Sequence, residues 1–511
     1  MSDQLNYYRK KPGKVYVFLQ DFDGYILRTK CDVEADAANI TNCFNKLGFK
    51  VEEPLRNYTM KQIKSHLTKA YRSPDLSEYE CILVFFVTHS PAVGQFRCND
   101  SKFSAEKISK IFTDECKHPD LRKILIFQAS HSTAIRDSQA MEYDAAPLVL
   151  PPPGANFFII KSSFELASPN ESGSFFIKVL CHYMANIGPK TSLFDVITAV
   201  LGELKAHRNK FPEERGNNPL PEVASTLLKP FYLNGNIPLD LPCYEHKESL
   251  GKLVVFNYNY NSEKSVNANR ELREGTQFDV ARIRSFDSIG FKTEINNDLP
   301  ADDVRRTLEK GSTCRESSCK FKKCGLRHKG DAPADYNKDT CAAIAILSHG
   351  CENHFRTIDE SMNVTHALSR LIIKKKENEE RSDLSGKPKL LFQQVCREEG
   401  GHYIQTLQFD DTLIFHSCSP GYKSNRSPTE GTWFIQGLCK IIDRIPHGES
   451  VSMTDLLQEM QQRFVEEHGS EQMPVIYSTL TKSLSPQRLL ERFFQDSKLK
   501  IKRKQLKDNV K

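Results

Sequence analysis

Cys396 stands in Phe392-Gln393-Gln394-Val395-Cys396-Arg397-Glu398, directly after an apolar run, and lies 47 residues beyond His349 of Ser348-His349-Gly350. A thiol becomes a competent nucleophile when a neighbouring base takes its proton or a positive group favours the thiolate. A cysteine and a histidine that converge in space are therefore the minimum equipment of a thiol protease. Gly350, directly after the histidine, would let a backbone N–H approach an oxyanion closely, with the N–H of Cys396 as second donor.

Convergence needs elements that end side by side. Cys341-Ala-Ala-Ile-Ala-Ile-Leu347 reads as a buried strand running into His349, and Lys387-Pro-Lys-Leu-Leu-Phe392 as another running toward Cys396. Val15–Leu19, Cys81–Val87 and Lys123–Phe127 are similar runs earlier in the chain, alternating with helical patterns. That alternation predicts an α/β sheet covered by helices.

The chain also contains itself twice. Gly173-Ser-Phe-Phe-Ile-Lys-Val-Leu-Cys181 returns as Gly431-Thr-Trp-Phe-Ile-Gln-Gly-Leu-Cys439, and Gly48-Phe49-Lys50 as Gly290-Phe291-Lys292. Phe291 lies 242 positions after Phe49, whereas His349 lies 260 after His89 and Gly431 lies 258 after Gly173. The second copy has therefore gained about 18 residues between Phe291 and His349. The Pro-spaced stretch Asn236–Cys243 marks the boundary. The expected domains are residues 1–236 and 251–495, with a linker at 237–250 and a basic tail at 496–511. Cys181 and Cys439, on helix-like apolar stretches, are expected in the core.

At 511 residues, 39% hydrophobic and 27% charged, the chain can build two cores and falls among globular proteins. No run reaches the roughly 18 apolar residues of a membrane span, and no apolar segment follows the N-terminal charges, so membrane partners are not expected. Fifteen dispersed cysteines, an odd number, do not form a disulfide framework and fit a reducing cytoplasmic or nuclear setting. Lys498–Lys507 holds much of the +6 net charge. It reads as a solvated helix end or frayed tail, or else as a nuclear-import or anionic-surface patch.

These residues resemble the caspase family. The signature around Cys396 matches in spacing, with Val395 for the family's alanine and Glu398 for its glycine. Arg273-Glu-Gly275-Thr276-Gln-Phe-Asp279 resembles the R-x-G-T-x-x-D motif, and Ser419-Pro420-Gly421-Tyr422 with Ser424 and Arg426 resembles the loop that binds the substrate backbone. The resemblance covers nearly the whole chain and implies two caspase-like domains, each a mostly parallel six-stranded sheet flanked by helices. It also implies that Arg273, Gln394 and Arg426 line the pocket for the residue before the scissile bond. Two guanidiniums and an amide fit a single carboxylate, so the expected substrates are proteins with aspartate there.

The first copy lacks that equipment. His89 is present, but Gln128-Ala129-Ser130-His131-Ser132 puts Ser130 where the family has cysteine, and Ser90-Pro91 replaces the oxyanion glycine. Lys30, six before Asp36, and Ser168 stand where the other copy has Arg273 and Arg426. This half is expected to be a pseudoenzyme, with His89 a structural histidine.

The expected function is a cysteine endopeptidase with an inactive half as its built-in partner. The alternative is a wholly inactive scaffold that pairs with true caspases, suggested by Glu398, Asn353, Lys423 and Asn425 at positions where the family has other residues. Caspases, as the resemblance implies, dimerise through edge strands. Glu222–Leu228 and Met473–Leu480 are the matching candidates, within one chain or between two. Aspartates followed by small residues, Asp137-Ser138 and Asp144-Ala145, are candidate processing sites, with Asp410 and Asp411 comparable in the second half. Because the first copy starts within about 12 residues of Met1, no adaptor domain is expected before it. Cys314, Cys319, Cys324 and His328 could close a tetrahedral structural zinc site, or belong to a solvated basic loop with incidental cysteines. No aromatic ladder accompanies its cations, so nucleic acid is not an expected partner.

Overall fold

The structure is a computed structural model that describes residues 11–20, 33–90, 95–114, 117–131, 154–164, 173–186, 191–211, 218–232, 241–245, 247, 249–261, 272–310, 338–351, 354–372, 384–397, 409–445, 452–469 and 471–485. In the first copy the principal elements are β1 (Gly13–Leu19), α1 (Val33–Lys46), α2 (Met60–Arg72), β2 (Cys81–Ser90), α3 (Ala105–Asp114), β3 (Arg122–His131), β4 (Phe157–Ser162), α4 (Phe175–Ala185), α5 (Leu193–Arg208) and β5 (Glu222–Ser225). The second copy supplies β6 (Gly251–Asn257), α6 (Thr276–Arg282), β7 (Phe291–Asn297), α7 (Ala301–Lys310), β8 (Ala342–Leu347), α8 (Val364–Ile372), β9 (Lys389–Gln394), β10 (Thr412–His416), α9 (Trp433–Ile442), α10 (Met453–His468) and β11 (Val475–Ser478).

The chain packs as two compact units. One holds residues 1–243, 397–423 and 453–483; the other holds 244–396, 424–452 and 484–511. The first unit therefore takes in β10, α10 and β11 of the second copy.

In the first unit the sheet order is β10-β11-β5-β4-β3-β2-β1. The strands from β1 to β4 are parallel, and β5, β11 and β10 follow antiparallel. Parallel strands are buried on both faces, which is why β2 reads as an unbroken apolar run. Alternate residues share a face. Phe18, Phe86 and Phe127 stack across three strands at centroid spacings of 5.1 Å and 5.1 Å. Ile63, Leu67 and Tyr71 of α2 and Ile108, Ile111 and Phe112 of α3 close the core over them.

β5 pairs with β11 across the sequence repeat, with Ala224 opposite Tyr477 and Val223 opposite Ser478. These strands lie inside the expected edge segments. The shorter extent of β11 has a backbone reason, since Pro474 carries no N–H for a ladder. Beside this junction Arg208 of α5 donates to Asp410 at 2.5 Å, and Lys205 donates to Asp411 at 2.5 Å. The Thr481 hydroxyl also donates to Asp411. Both carboxylates are buried.

The second unit carries a four-stranded parallel sheet in the order β7-β6-β8-β9. Every residue of β8 and β9 is buried. Together these sheets give the α/β architecture, mostly parallel and flanked by helices, that the alternating pattern predicts.

One device recurs in both units and ties them to a common fold. Asp36 of α1 accepts from the Ser174 N–H and hydroxyl, at 2.8 Å and 2.8 Å, at the start of α4. Asp279 of α6 likewise accepts from the Thr432 N–H at 2.7 Å and its hydroxyl at 3.0 Å, at the start of α9. Each clamp needs the preceding glycine. Gly173 and Gly431 have φ of +82° and +91°, and a Cβ there would come within 2.8 Å and 2.5 Å of the aspartate oxygen. No described helix is long and apolar enough to cross a membrane.

Candidate active site

The site begins with register. β8 and β9 run parallel with Leu347 opposite Gln394, and the Ser348 N–H donates to the Gln394 carbonyl at 3.1 Å. His349 and Cys396 each lie two residues beyond that last pair. They therefore leave neighbouring strands at the carboxyl end of the sheet, where ligands of parallel sheets bind. Both are half-buried. Cys396 Sγ accepts from the Ser424 N–H at 3.4 Å and lies 3.8 Å from the Ser424 carbonyl, so the loop after β9's neighbour in sequence is held against the sulfur. Gln394 donates from Nε2 to the Ser424 hydroxyl at 2.6 Å.

Gly350 opens a short hairpin in which it faces Phe355. A Cβ at this position would lie 2.1 Å from the His354 carbonyl and 2.4 Å from Val395. Only glycine permits that approach to the strand leading to Cys396.

Arg273, Gly275, Thr276 and Asp279 of Arg273-Glu-Gly-Thr-Gln-Phe-Asp279 each have a structural task. Arg273 is 1% exposed. Its Nη1 donates to the Tyr258 carbonyl at 3.1 Å and to the Thr276 hydroxyl at 2.9 Å, and its Nη2 faces Asp279 at 3.8 Å. The Thr276 hydroxyl donates to Asn257 Oδ1 at 2.5 Å, fixing the start of α6 to the end of β6. Gly275 takes φ +85° and comes so close to the Ser427 carbonyl that a Cβ would lie 2.3 Å from it. Arg426 is half-buried and sits on a two-residue ladder with Thr432, the residue that Asp279 clamps. One carboxylate thus faces the Arg273 guanidinium and holds the backbone that pairs with Arg426.

The electrostatics follow from this burial. Burial pushes the Arg273 guanidinium down to about 10, opposed by Asp279 and reinforced by Arg426, so it stays cationic at neutral pH. Burial also lowers Arg426, against the attraction of Asp279 and Cys396. Asp279 is raised by burial and held back by Arg273. Two guanidiniums and one buried carboxyl group thus gather near Cys396.

His349 stacks on the ring of Tyr260, with centroids 5.5 Å apart and planes at 18°. Sequence reasoning missed Tyr260, and also Asp298, which supports it; an aromatic 89 residues before the histidine carries no local signal.

In the first copy His89 and Ser130 are direct partners on β2 and β3. Lys30, Ser132, Asp137, Asp144, Ser168, Asn353, Glu398 and the set Cys314, Cys319, Cys324 and His328 lie outside the described residues. Among the described residues no three His, Cys, Asp or Glu side chains gather to hold a metal.

A family model described as the caspase domain matches residues 19–232 and 331–485. The chain is 28% identical over 271 residues to caspase-7 of Gallus gallus, covering 46% of this chain and 77% of that protein. It is 28% identical over 249 residues to caspase-3 of Xenopus laevis, covering 45% of this chain and 78% of that protein. The family model spans well over half of the chain and falls in both copies of the repeat: the protein belongs to the caspase family.

Proposed function

We propose that the chain is a cysteine endopeptidase that cleaves after aspartate, with Cys396 as nucleophile, His349 as proton carrier and the first copy as a catalytically inactive partner. The observation that carries this reading is the register of β8 and β9, which sends Cys396 and His349 out of neighbouring strand ends beside the Arg273–Asp279–Arg426 cluster.

In the proposed reaction the Cys396 thiolate attacks the scissile carbonyl carbon, and its electron pair forms the C–S bond while the carbonyl oxygen takes the negative charge. The N–H groups of Gly350 and Cys396 would stabilise that oxyanion. Collapse breaks the C–N bond, and the His349 imidazolium gives its proton to the leaving amine. Neutral His349 then takes a proton from water, whose oxygen displaces the thiolate from the acyl-enzyme. Arg273 and Arg426 would hold the substrate carboxylate, and Ser424 the substrate backbone.

The pairing of β5 with β11 and the ion pairs from α5 to Asp410 and Asp411 support the view that the first copy completes the second within one chain. Exposed Lys423 and half-buried Asn425, beside Ser424 and Arg426, favour the rival reading of an inactive regulator of other caspases. Turnover of a fluorogenic aspartyl peptide by the full chain, lost in Cys396→Ala, would support the protease. Equal fluorescence from both proteins would favour the rival. Residues 245–511 alone should lose activity at dilute concentration and regain it with the first copy added in trans.

A further inference from the structure

Tyr260 follows β6 at φ +61°, a left-handed conformation that is a marked outlier for an aromatic residue. The surroundings enforce it. Asp298 Oδ1 accepts from the N–H of Asn259 at 3.0 Å and of Tyr260 at 3.1 Å. The Asp298 N–H in turn donates to the Asn257 carbonyl at 2.9 Å. The tyrosine ring is 1% exposed and stacks with two other rings. Tyr258 is one, with centroids 5.7 Å apart and planes at 22°, and His349 is the other.

The tyrosine hydroxyl is anchored to the same loop that carries His349. It donates to the Arg356 carbonyl at 2.7 Å and lies 2.8 Å from the Ser348 hydroxyl. The Ser348 hydroxyl is 2.7 Å from the His349 carbonyl, and the Arg356 N–H donates to that carbonyl at 2.8 Å. Tyr260 thus meets the His349 ring directly and its backbone through Ser348 and Arg356. The same turn binds Arg273, through the Tyr258 carbonyl to its guanidinium and the Asn259 carbonyl to its N–H at 2.9 Å.

We infer that Tyr260 is a positioning residue for the reaction, setting the plane of the His349 imidazole and tying it to the turn that holds Arg273. The inference rests on the reading of Cys396 and His349 as a working pair. A backbone strained into one conformation by a dedicated carboxylate is a feature of sites whose geometry must be set before substrate arrives. A positioned imidazole, in its cationic form, is also what favours a thiolate beside it.

The test uses the full chain and two readouts. The first is kcat and KM for an aspartyl peptide. The second is the rate of Cys396 alkylation by iodoacetamide, located by peptide mass spectrometry, at pH 6.5 and at pH 8.5, near the pKa of a free thiol. Tyr260→Leu should lower kcat by about tenfold with KM little changed. It should slow alkylation at pH 6.5 but not at pH 8.5, and Tyr260→Phe should retain most of both. Should Tyr260→Leu not fold, Tyr260→Met takes its place in both readouts with the same expectation. Wild-type rates in Tyr260→Leu or in Tyr260→Met would overturn the inference alone. A wild-type Cys396 that alkylates as a free thiol and gives no turnover would overturn the catalytic reading and this inference with it.

Discussion

His89 and Ser130 are direct partners on adjacent parallel strands, the same relationship that the β8–β9 register extends to His349 and Cys396. In both copies the pair lies at the carboxyl ends of adjacent parallel strands, although the first ladder runs through it and the second stops two residues before it, and the side chains decide the chemistry. A serine hydroxyl needs far stronger base activation than a thiol. The expected outcome is that His89→Ala and Ser130→Ala each leave aspartyl-peptide turnover within about twofold of wild type. Steady-state kinetics on the full chain checks this, and a tenfold loss in Ser130→Ala would assign the first copy a reaction of its own.

Much of this arrangement was legible in the sequence because it depends on local signals. The runs before His349 and Cys396 are apolar throughout, as strands buried on both faces must be, and they fold as Ala342–Leu347 and Lys389–Gln394. Gly275, Thr276 and Asp279 could be matched as letters, but their tasks depend on Ser427, Asn257 and Thr432, which only the fold brings near. Tyr260 and Asp298 were not legible. Their role arises from a positive φ and from a ring stack across a long sequence separation, and neither leaves a periodic trace.

The two guanidiniums differ in burial, and their variants should differ accordingly. Arg273→Ala removes a 1% exposed cation and leaves Asp279 buried without its ion pair, so it should lower both thermal stability and kcat/KM. Arg426 is half-buried, and Arg426→Ala should lower kcat/KM by about a hundredfold while the melting temperature stays close to wild type. Melting curves alongside kinetics separate the two effects. Equal loss of stability in both variants would contradict the assignment of Arg426 to substrate.

Asp410 and Asp411 matched the composition of a processing site, but their carboxylates are buried and bonded to Arg208, Lys205 and Thr481. A protease needs exposed backbone that can extend into its cleft. Intact-mass analysis after incubation with active enzyme should therefore find no product ending at either residue while the protein remains folded. Arg208→Ala leaves Asp410 with only the Lys205 ammonium at 3.7 Å, so it should destabilise the chain by up to about 3 kcal/mol and should make cleavage there detectable. Cleavage after Asp410 in the folded wild type would show that the ion pairs do not protect it.

His416 of β10 is 1% exposed, and burial, reinforced by the positive charge of Arg397, holds its imidazole well below the usual histidine range. A folded state that keeps the ring neutral loses stability as pH falls below about 6.5, where the unfolded chain takes up the proton. One such group contributes a slope of up to about 1.4 kcal/mol per pH unit. His416→Leu should therefore flatten the acid-side decline in stability between pH 6.5 and 5. Denaturant midpoints across that range measure it, and parallel curves for variant and wild type would mean that His416 does not set the decline.

If Cys396 is a nucleophile directed at aspartate, an active-site label will find it. A peptidyl halomethyl ketone with aspartate next to the reactive carbon transfers its peptide to a thiolate as halide leaves, and mass spectrometry then locates the thioether. One adduct per chain is expected, on Cys396, formed with the aspartyl reagent and slowed by His349→Ala. The asparaginyl reagent should give almost none. An unlabelled Cys396, or equal labelling by the two reagents, would contradict it.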